Sequence, residues 1–284
     1  MKKFKIIFFS EVNSKFGMPF FKRIVKDPHF EIVAFVTTPA GKLCSYYVGE
    51  PNPVDLEEFA KSKSIPVFRP TNIKSTDFVA KLKTFSPDYI IIANYQKILR
   101  KNLIVLPKYE ALNFHPSPLP RYAGLAPFFW MAKNGEHNSG VSCIEVAPEI
   151  DGGKIVAQLP VHLTGGETSP EIRNKLFDKS LKLLENVLQS IISGTLSAQP
   201  QDKSLRQYFG NPSMNDRSIT ANSSLHDVLA TMRACAPNYA YLFRNDKYIP
   251  VTAVGYVLQN GSIPFRCQGV QLFFQPATNQ EKVS

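Results

Sequence analysis

The sequence predicts an α/β fold: a doubly wound, mostly parallel sheet followed by a small, mainly β C-terminal domain. Over the first 200 residues, apolar runs alternate with segments of helical spacing, which is typical of parallel strands joined by right-handed helical crossovers. A stretch rich in Ser, Gln, Asn and Pro at 197–215 then precedes several short strand-like runs. We therefore place one domain at residues 1–200 and a second, which an open barrel would suit, at 201–284.

Each element of the first domain follows from its local pattern. Continuous apolar runs predict strands buried on both faces; they lie at 5–10, 31–37, 66–68, 88–93, 141–146 and 155–159. Apolar residues at helical spacing predict helices at 16–25, 55–63, 76–85 and Ser169–Ser193. In the second domain we expect a helix at 224–235 and strands at 240–243, 248–254, 255–258 and 270–274.

A polar pair marks the exit of one further strand. Successive side chains of a strand point to opposite faces, so Asn113 and His115 share a surface while Phe114 turns into the core. Pro116 biases His115 away from helical backbone angles, and two more prolines within four residues stop any continuing ladder. The pair therefore lies where ligands of such sheets bind, outside the carboxyl ends of the strands.

With an acid alongside, this pair has the groups needed for attack of a neutral nucleophile on a carbonyl. An imidazole moves protons near neutral pH, an amide N–H donates to a developing oxyanion, and a carboxylate orients the imidazole. The candidate acid is Asp151, in an Asp-Gly-Gly turn. Each residue also has an ordinary structural explanation, because Asn and His often cap strand ends and Asp before Gly often caps a turn.

Three segments in order resemble the formyltransferase family. They are Asn-Phe-His-Pro-Ser-Pro-Leu-Pro-Arg-Tyr-Ala-Gly at 113–124, Gly-Val-Ser at 140–142 and Asp-Gly-Gly-Lys-Ile at 151–155. The resemblance implies a formyltransferase-type Rossmann-like domain, with 10-formyltetrahydrofolate as co-substrate and an amine as acceptor. It also implies roles: His115 transfers protons, Asn113 donates to the oxyanion, and Asp151 orients His115.

The chain departs from the family pattern at three positions, which leaves its subfamily open. Pro118 replaces a common Leu, Gly152 stands where Thr or Ala is usual, and Lys154 often corresponds to an acid. We favour a small amine acceptor, an amino sugar nucleotide first of all. The alternatives are methionyl-tRNA formyltransferase, hydrolysis of 10-formyltetrahydrofolate, and a folate- or nucleotide-binding module without activity.

By position in the family pattern, the resemblance also implies two groups of binding residues. The folate pocket should include Ile90, Ile92, Asn94, Tyr95, Gln96, Ser117, Ala147 and Ile150, largely through backbone atoms. The acceptor should meet Ser10, Tyr46, Tyr47, Arg121 and Tyr122. Loop tyrosines also pack over domain edges, and exposed arginines also serve only solubility. We expect the apolar run at 128–131 to be the buried face of a helix.

The net charge of +10 is spread along the chain. From Arg206 onward there are seven Lys and Arg against four Asp and Glu, and 26 against 19 before it. No basic run reaches five residues, which weakens the case for a dedicated tRNA surface and gives none for DNA. Family members that formylate initiator tRNA tend to carry a longer, basic insertion at the position of loop 42–53, where this chain has only Lys42.

Several classes of protein are disfavoured by what the sequence lacks. No apolar run is long enough for a membrane span, and the N-terminal apolar run is too short for a signal peptide. The four cysteines lie far apart, so we expect reduced thiols, no metal and a cytoplasmic protein. No Gly-x-Gly-x-x-Gly follows the first strand, which argues against a nicotinamide oxidoreductase. Homo-oligomer formation stays open.

Overall fold

The computed structural model describes residues 3–48 and 50–277; Gly49, inside the predicted loop 42–53, lies outside the described residues. The chain divides into two compact units. The first contains Met1–Pro120, Val141–Leu159 and Phe177–Arg206, and the second contains Arg121–Gly140, Pro160–Leu176 and Gln207–Ser284. The elements below are those of the described residues.

Strands and helices alternate as far as residue 115. The strands are β1 (Phe4–Phe9), β2 (Phe30–Val36), β3 (Val67–Phe68), β4 (Tyr89–Ala93), β5 (Glu110–His115), β6 (Ala123–Gly124), β7 (Asn138–Glu145), β8 (Ile155–His162), β9 (Tyr208–Phe209), β10 (Ser218–Ile219), β11 (Ala240–Arg244), β12 (Lys247–Gly255), β13 (Ile263–Cys267) and β14 (Val270–Pro276). The helices are α1 (Gly17–Lys26), α2 (Leu56–Ser62), α3 (Thr76–Lys83), α4 (Lys101–Ile104), α5 (Pro127–Asn134), α6 (Ser169–Ser193) and α7 (Leu225–Cys235).

The main sheet has the order β3-β2-β1-β4-β5-β7-β8. Its first five strands are parallel, and β7 runs antiparallel to β5. The predicted doubly wound, mostly parallel fold is therefore confirmed. The chain proceeds outward from β1 in one direction to β3 and then returns to β4 on the other side of β1. The carboxyl ends of β1 and β4 thus flank the switch point, where open α/β sheets bind their ligands.

Apolar side chains cover both faces of this sheet, which explains why its strands are continuously apolar. On one face, the rings of Phe8 and Phe21 stack with centroids 5.1 Å apart, and Phe35 lies 5.3 Å from Phe21. On the other face, Phe9 belongs to a buried aliphatic cluster that includes Leu103. Full burial of such a side chain contributes roughly 1.5–3 kcal/mol relative to exposure, so the strands are held firmly from both sides.

Side-chain caps set the starts of the predicted helices. The Asp55 carboxylate accepts hydrogen bonds from the first-turn amides of α2, and the Ser75 hydroxyl accepts one from the first turn of α3. Ser224 and Asp227 form a complete capping box at α7. Each cap contributes about 1 kcal/mol, which is why these helix starts agree with the sequence prediction to within one residue.

In the second unit, a five-stranded sheet has the order β10-β11-β12-β14-β13, confirming a mainly β C-terminal part. The strand predicted at 255–258 is wrong, because residues 256–258 form an exposed turn after β12. The strand that follows β12 is instead β13. Its Pro264 argues against a strand when only the sequence is considered. Proline is tolerated there because β13 is an edge strand. The short elements α4, β6 and β9 were not predicted, and β9 lies within the expected linker.

No helix within residues 3–48 and 50–277 combines the length and the apolar character that a membrane crossing requires. The four cysteines are free and buried.

Candidate active site

β5 presents the predicted polar pair. Asn113 is paired with Ile92 of β4 on one side and with Ile144 of β7 on the other. Phe114 is 2% exposed and packs edge-on against Phe20 at 5.0 Å. Asn113 and His115 therefore share the opposite face of the strand, as the alternation predicts.

Asp151 reaches this pair from the turn between β7 and β8. Its carboxylate Oδ1 lies 3.8 Å from His115 Nδ1, and each of the two side chains is 11% exposed. This distance suits an ion pair but exceeds that of a direct hydrogen bond. Such contacts in unliganded sites often tighten once substrate is bound. The structure thus brings together three groups that are separated by up to 38 residues in the chain.

The backbone of the Asp151 turn explains the two glycines that follow. Asp151 itself has a left-handed φ of 51°. A Cβ on Gly153 would lie 1.7 Å from the carbonyl oxygen of Glu145, so this position accepts no side chain. A Cβ on Gly152 would lie 2.7 Å from the carboxylate of Glu149, which is a flexible side chain and can move away. A side chain such as Thr or Ala at position 152 would therefore require only that the Glu149 side chain move. A side chain at position 153 would require the backbone itself to move.

Ser142 of β7 forms hydrogen bonds with the proline-rich segment that follows His115. Its hydroxyl donates to the Ser117 carbonyl at 2.7 Å and accepts from the Leu119 amide at 3.1 Å. Gln158 of β8 donates to the same hydroxyl at 2.8 Å and to the Leu119 carbonyl at 2.7 Å. Ser117 is completely buried. The sequence reasoning did not assign this role to Ser142 or Gln158, although Ser142 belongs to the Gly-Val-Ser segment.

A second polar group lies at the switch point, at the carboxyl ends of β1 and β4. Asn94, which has a φ of 60°, donates to Ser14 Oγ at 3.0 Å and to the Tyr47 hydroxyl at 3.3 Å. The buried carboxylate of Glu11 accepts hydrogen bonds from the backbone amide of Gln96 at 3.0 Å and from the Thr38 hydroxyl at 2.9 Å. Sequence reasoning missed Glu11; the signal was an acid directly after a buried apolar strand.

Besides Asn94, Gln96 and Ser117, described above, the predicted folate-binding residues lie in three different environments. Ile90 and Ile92 are 0% and 5% exposed and lie in the aliphatic cluster beneath the sheet. Tyr95 packs edge-on against Phe9 at 5.3 Å, and burial, together with the charge of Glu11, raises the pKa of its hydroxyl above its ordinary value. Ala147 and Ile150 are on the loop before Asp151, with Ile150 41% exposed.

The residues predicted to meet the acceptor divide between the two units. In the first unit Ser10 is fully buried, Tyr47 is 6% exposed, and Tyr46 is 43% exposed with its ring 5.5 Å from that of Tyr47. Arg121 and Tyr122 belong to the second unit. There Arg121 forms an ion pair with Glu136 at 2.8 Å.

Tyr122 is part of an aromatic stack in the second unit. Its ring lies 5.3 Å from that of Phe209, at an interplanar angle of 18°, and burial raises the pKa of its hydroxyl to about 12. Trp130 stacks on the same Phe209 ring at 5.1 Å. The neighbouring Phe128, Phe129 and Met131 are buried on α5, where the sequence predicted the buried face of a helix.

Among residues 3–48 and 50–277, no group of three or more His, Cys, Asp or Glu side chains is placed to hold a metal ion. The fold is that of the open α/β proteins, which bind their ligands beyond the carboxyl ends of the strands, and Asn113, His115 and Asp151 meet at such an end. The family model for formyl transferases matches residues 4–188. The chain belongs to the formyltransferase family, and the resemblance of its motifs is confirmed.

Two relatives illustrate the sequence similarity. The methionyl-tRNA formyltransferase of Dictyoglomus turgidum is 31% identical over 233 residues, which cover 78% of this chain and 71% of the relative. That of Halalkalibacterium halodurans is 30% identical over 244 residues, covering 86% of this chain and 75% of the relative.

Solved structures share the fold at lower identity. An N-formyltransferase from Helicobacter canadensis, in complex with folinic acid and dTDP-3-aminofucose, has a TM-score of 0.71 at 17% identity and covers 98% of this chain and 100% of its own. A sugar 3N-formyl transferase, WlaRD, with dTDP and 5-N-formyl-THF, has a TM-score of 0.70 at 16% identity, with coverage of 97% and 98%.

Proposed function

We propose that this protein transfers the formyl group of 10-formyltetrahydrofolate to the amino group of an amino sugar nucleotide. Family membership supports formyl transfer, and the arrangement of Asn113, His115 and Asp151 supports these residues as its catalytic groups. The observation that carries the choice of acceptor is the loop after β2, which has a single cationic residue and is packed down on the first unit.

In the proposed mechanism, His115 takes the proton of the acceptor amine as the amine nitrogen attacks the formyl carbon. The side-chain amide of Asn113 donates to the oxyanion that forms. His115 then returns the proton to the folate nitrogen, and the bond between that nitrogen and the formyl carbon breaks. The Asp151 carboxylate, 3.8 Å from His115, favours the charged imidazolium between these steps.

The loop after β2 bears on the size of the acceptor. Asn13 and the Cys44 backbone exchange two hydrogen bonds of 3.0 Å, which fixes the middle of the loop against the β1–α1 connection. Lys15 pairs with Glu50 at 2.9 Å near its end. Lys42 is the only Lys or Arg between residues 42 and 53. A loop held down in this way supports a compact pocket for a small substrate, because it offers tRNA few phosphate contacts.

Methionyl-tRNA is the second candidate acceptor. One observation favours it: relatives named methionyl-tRNA formyltransferase are 30–31% identical over more than two thirds of their length. The solved structures named sugar N-formyltransferases share the fold at 16–17% identity. The two acceptors use the same proposed catalytic residues and differ only in what must bind beside them.

A direct assay distinguishes these acceptors. Purified protein is incubated with 10-formyltetrahydrofolate and either a panel of amino sugar nucleotides or charged initiator tRNA, and the formylated product is detected by mass. We expect turnover with at least one amino sugar nucleotide. Turnover of the tRNA alone would overturn the proposed acceptor and leave the catalytic residues in place. Release of tetrahydrofolate without any acceptor would instead identify a hydrolase.

A further inference from the structure

The turn that carries Asp151 is held by side chains from residues 199–206. Gln201 Nε2 donates to the carbonyl oxygens of Asp151 and Gly153, both at 2.7 Å. Arg206 Nη2 donates to the carbonyl oxygen of Ile150 at 2.6 Å. The backbone carbonyls before, at and after the proposed catalytic acid are thus bound to two side chains from a distant part of the chain.

This segment is itself fixed in place. Gln199 and Ile155 exchange two backbone hydrogen bonds of 2.8 Å, which anchors the segment to the start of β8. Arg206 also forms an ion pair with Glu149 at 3.4 Å, and its side chain is only 19% exposed. Lys203 pairs with the same carboxylate, but it is 78% exposed and contributes little. Gln201 and Arg206 are therefore the residues that hold the turn.

The side-chain amide of Gln201 forms these hydrogen bonds through its NH2 group. Its oxygen Oε1 is buried and has no hydrogen-bond partner in the described part of the chain. Burying an unpaired carbonyl oxygen is unfavourable, so the two donated bonds must outweigh it. The Asp151 turn needs these two hydrogen bonds, because Asp151 has a φ of 51°, a region that residues with side chains rarely occupy.

We propose that Gln201, assisted by Arg206, is a positioning residue that sets the backbone of the Asp151 turn and so directs the carboxylate at His115. This inference rests on the proposed role of Asp151. It places a determinant of turnover outside residues 4–188, the part of the chain that the family model matches. Gln201 touches no reacting atom and acts only through the turn.

Two nearly isosteric variants test the proposal. Gln201→Met keeps the volume and removes both donors, and Gln201→Glu places a carboxylate against two carbonyl oxygens. Because a misplacement of about 1 Å can cost roughly a hundredfold in rate, we expect kcat to fall by about tenfold to a hundredfold in both variants. KM for 10-formyltetrahydrofolate should change by less than about threefold. The matched control is Gln199→Met, the same substitution at an exposed side chain two residues away.

Hydrogen exchange gives a readout that does not depend on the acceptor. Backbone amides of residues 149–154 should exchange at least about tenfold faster in Gln201→Met, while those of β5 stay unchanged. Unaltered kcat and exchange in both Gln201 variants would overturn the proposal. If Gln201→Met does not fold, Arg206→Met, which removes only the bond to Ile150 and the pair with Glu149, is measured in the same way. A wild-type protein that formylates no amine disproves the proposed function, while the exchange measurement still tests the role of Gln201.

Discussion

At the scale of the residue, the proposed mechanism depends on three side chains that each have an ordinary alternative role. An isolated Asn, His or Asp at a strand end or turn most often satisfies nearby backbone groups. Here Asn113 and His115 lie on one face of β5, and Asp151 approaches His115 to 3.8 Å across the sheet end. Their joint position, rather than the identity of any one of them, supports catalysis.

The first prediction concerns these residues. His115→Ala and Asp151→Ala should each lower kcat by at least about a thousandfold, because proton transfer and the orientation of the imidazole are lost together. The thermal unfolding midpoint should remain near that of the wild type, since neither side chain is in an apolar cluster. His162→Ala, at an exposed histidine, serves as the control. Turnover close to the wild-type value in either active-site variant would remove the proposed mechanism.

The second prediction compares adjacent glycines. Gly153→Ala should lower the free energy of unfolding by about 1–3 kcal/mol, because its Cβ would overlap the Glu145 carbonyl oxygen at 1.7 Å and force the backbone to shift. Gly152→Ala should cost less than about 1 kcal/mol, because the neighbouring Glu149 side chain can rotate away. Urea unfolding measures both. A loss for Gly153→Ala as small as that expected for Gly152→Ala would show that the turn tolerates a side chain at Gly153.

At the scale of the element, the connections before helices and after strands are held by a few side-chain hydrogen bonds. The loop before α6 is an example: Glu167 is 7% exposed, accepts from the Thr164 amide and pairs with Lys175 at 2.6 Å. Burial raises the pKa of the Glu167 carboxyl, but the bonds from Lys175 and Thr164 outweigh burial and lower it to about 2. The carboxylate therefore stabilises the folded state relative to the unfolded one.

The third prediction follows from this pKa. Because the folded-state pKa of about 2 lies below the ordinary 4.5, the contribution of Glu167 is fully present above about pH 5 and is lost as the pH falls from 4.5 towards 2. Glu167→Gln should reduce the free energy of unfolding at pH 7 by about 2 kcal/mol, allowing for solvent screening at the half-exposed Lys175. The difference between the two proteins should disappear near pH 2. A difference that is independent of pH would contradict the role assigned to this carboxylate.

At the scale of the whole molecule, the net charge of +10 is the property most relevant to the acceptor. A positive surface attracts any anion, so its sum alone does not distinguish a nucleotide sugar from tRNA. The number of phosphates neutralised on binding does distinguish them, because each one releases counterions. A nucleotide sugar presents two phosphates, whereas tRNA presents many.

The fourth prediction uses this difference. For the amino sugar nucleotide that is turned over, kcat/KM should change by less than about tenfold between roughly 50 and 200 mM salt. Six or more phosphate contacts would instead lower it by about a thousandfold over the same range. Initial rates at four or more salt concentrations give the slope of the logarithmic plot. Efficient turnover of charged initiator tRNA, with a steep slope of its own, would support tRNA as the acceptor.

The sequence determined the elements of the first unit because their signals are local. Continuous apolar runs specify β1, β2 and β4, and capping residues such as Asp55 and Ser75 set helix starts to within one residue. Alternation along β5 also placed Asn113 and His115 on one face. In the C-terminal sheet the local signal failed: the apolar run at 256–258 is exposed, and the strand containing Pro264 depends on its position at a sheet edge.

Only the tertiary structure decided which distant groups meet. Three such contacts join parts of the chain 36 to 80 residues apart: the 3.8 Å approach of Asp151 to His115, the bonds from Gln201 to the Asp151 turn, and the bonds that Asn94 donates to the Ser14 and Tyr47 oxygens. It also assigned Arg121 to the second unit. The physical reason is that backbone propensities and periodicity act over one or two turns of chain, whereas these contacts depend on the register of strands and the packing of loops, which no short segment encodes.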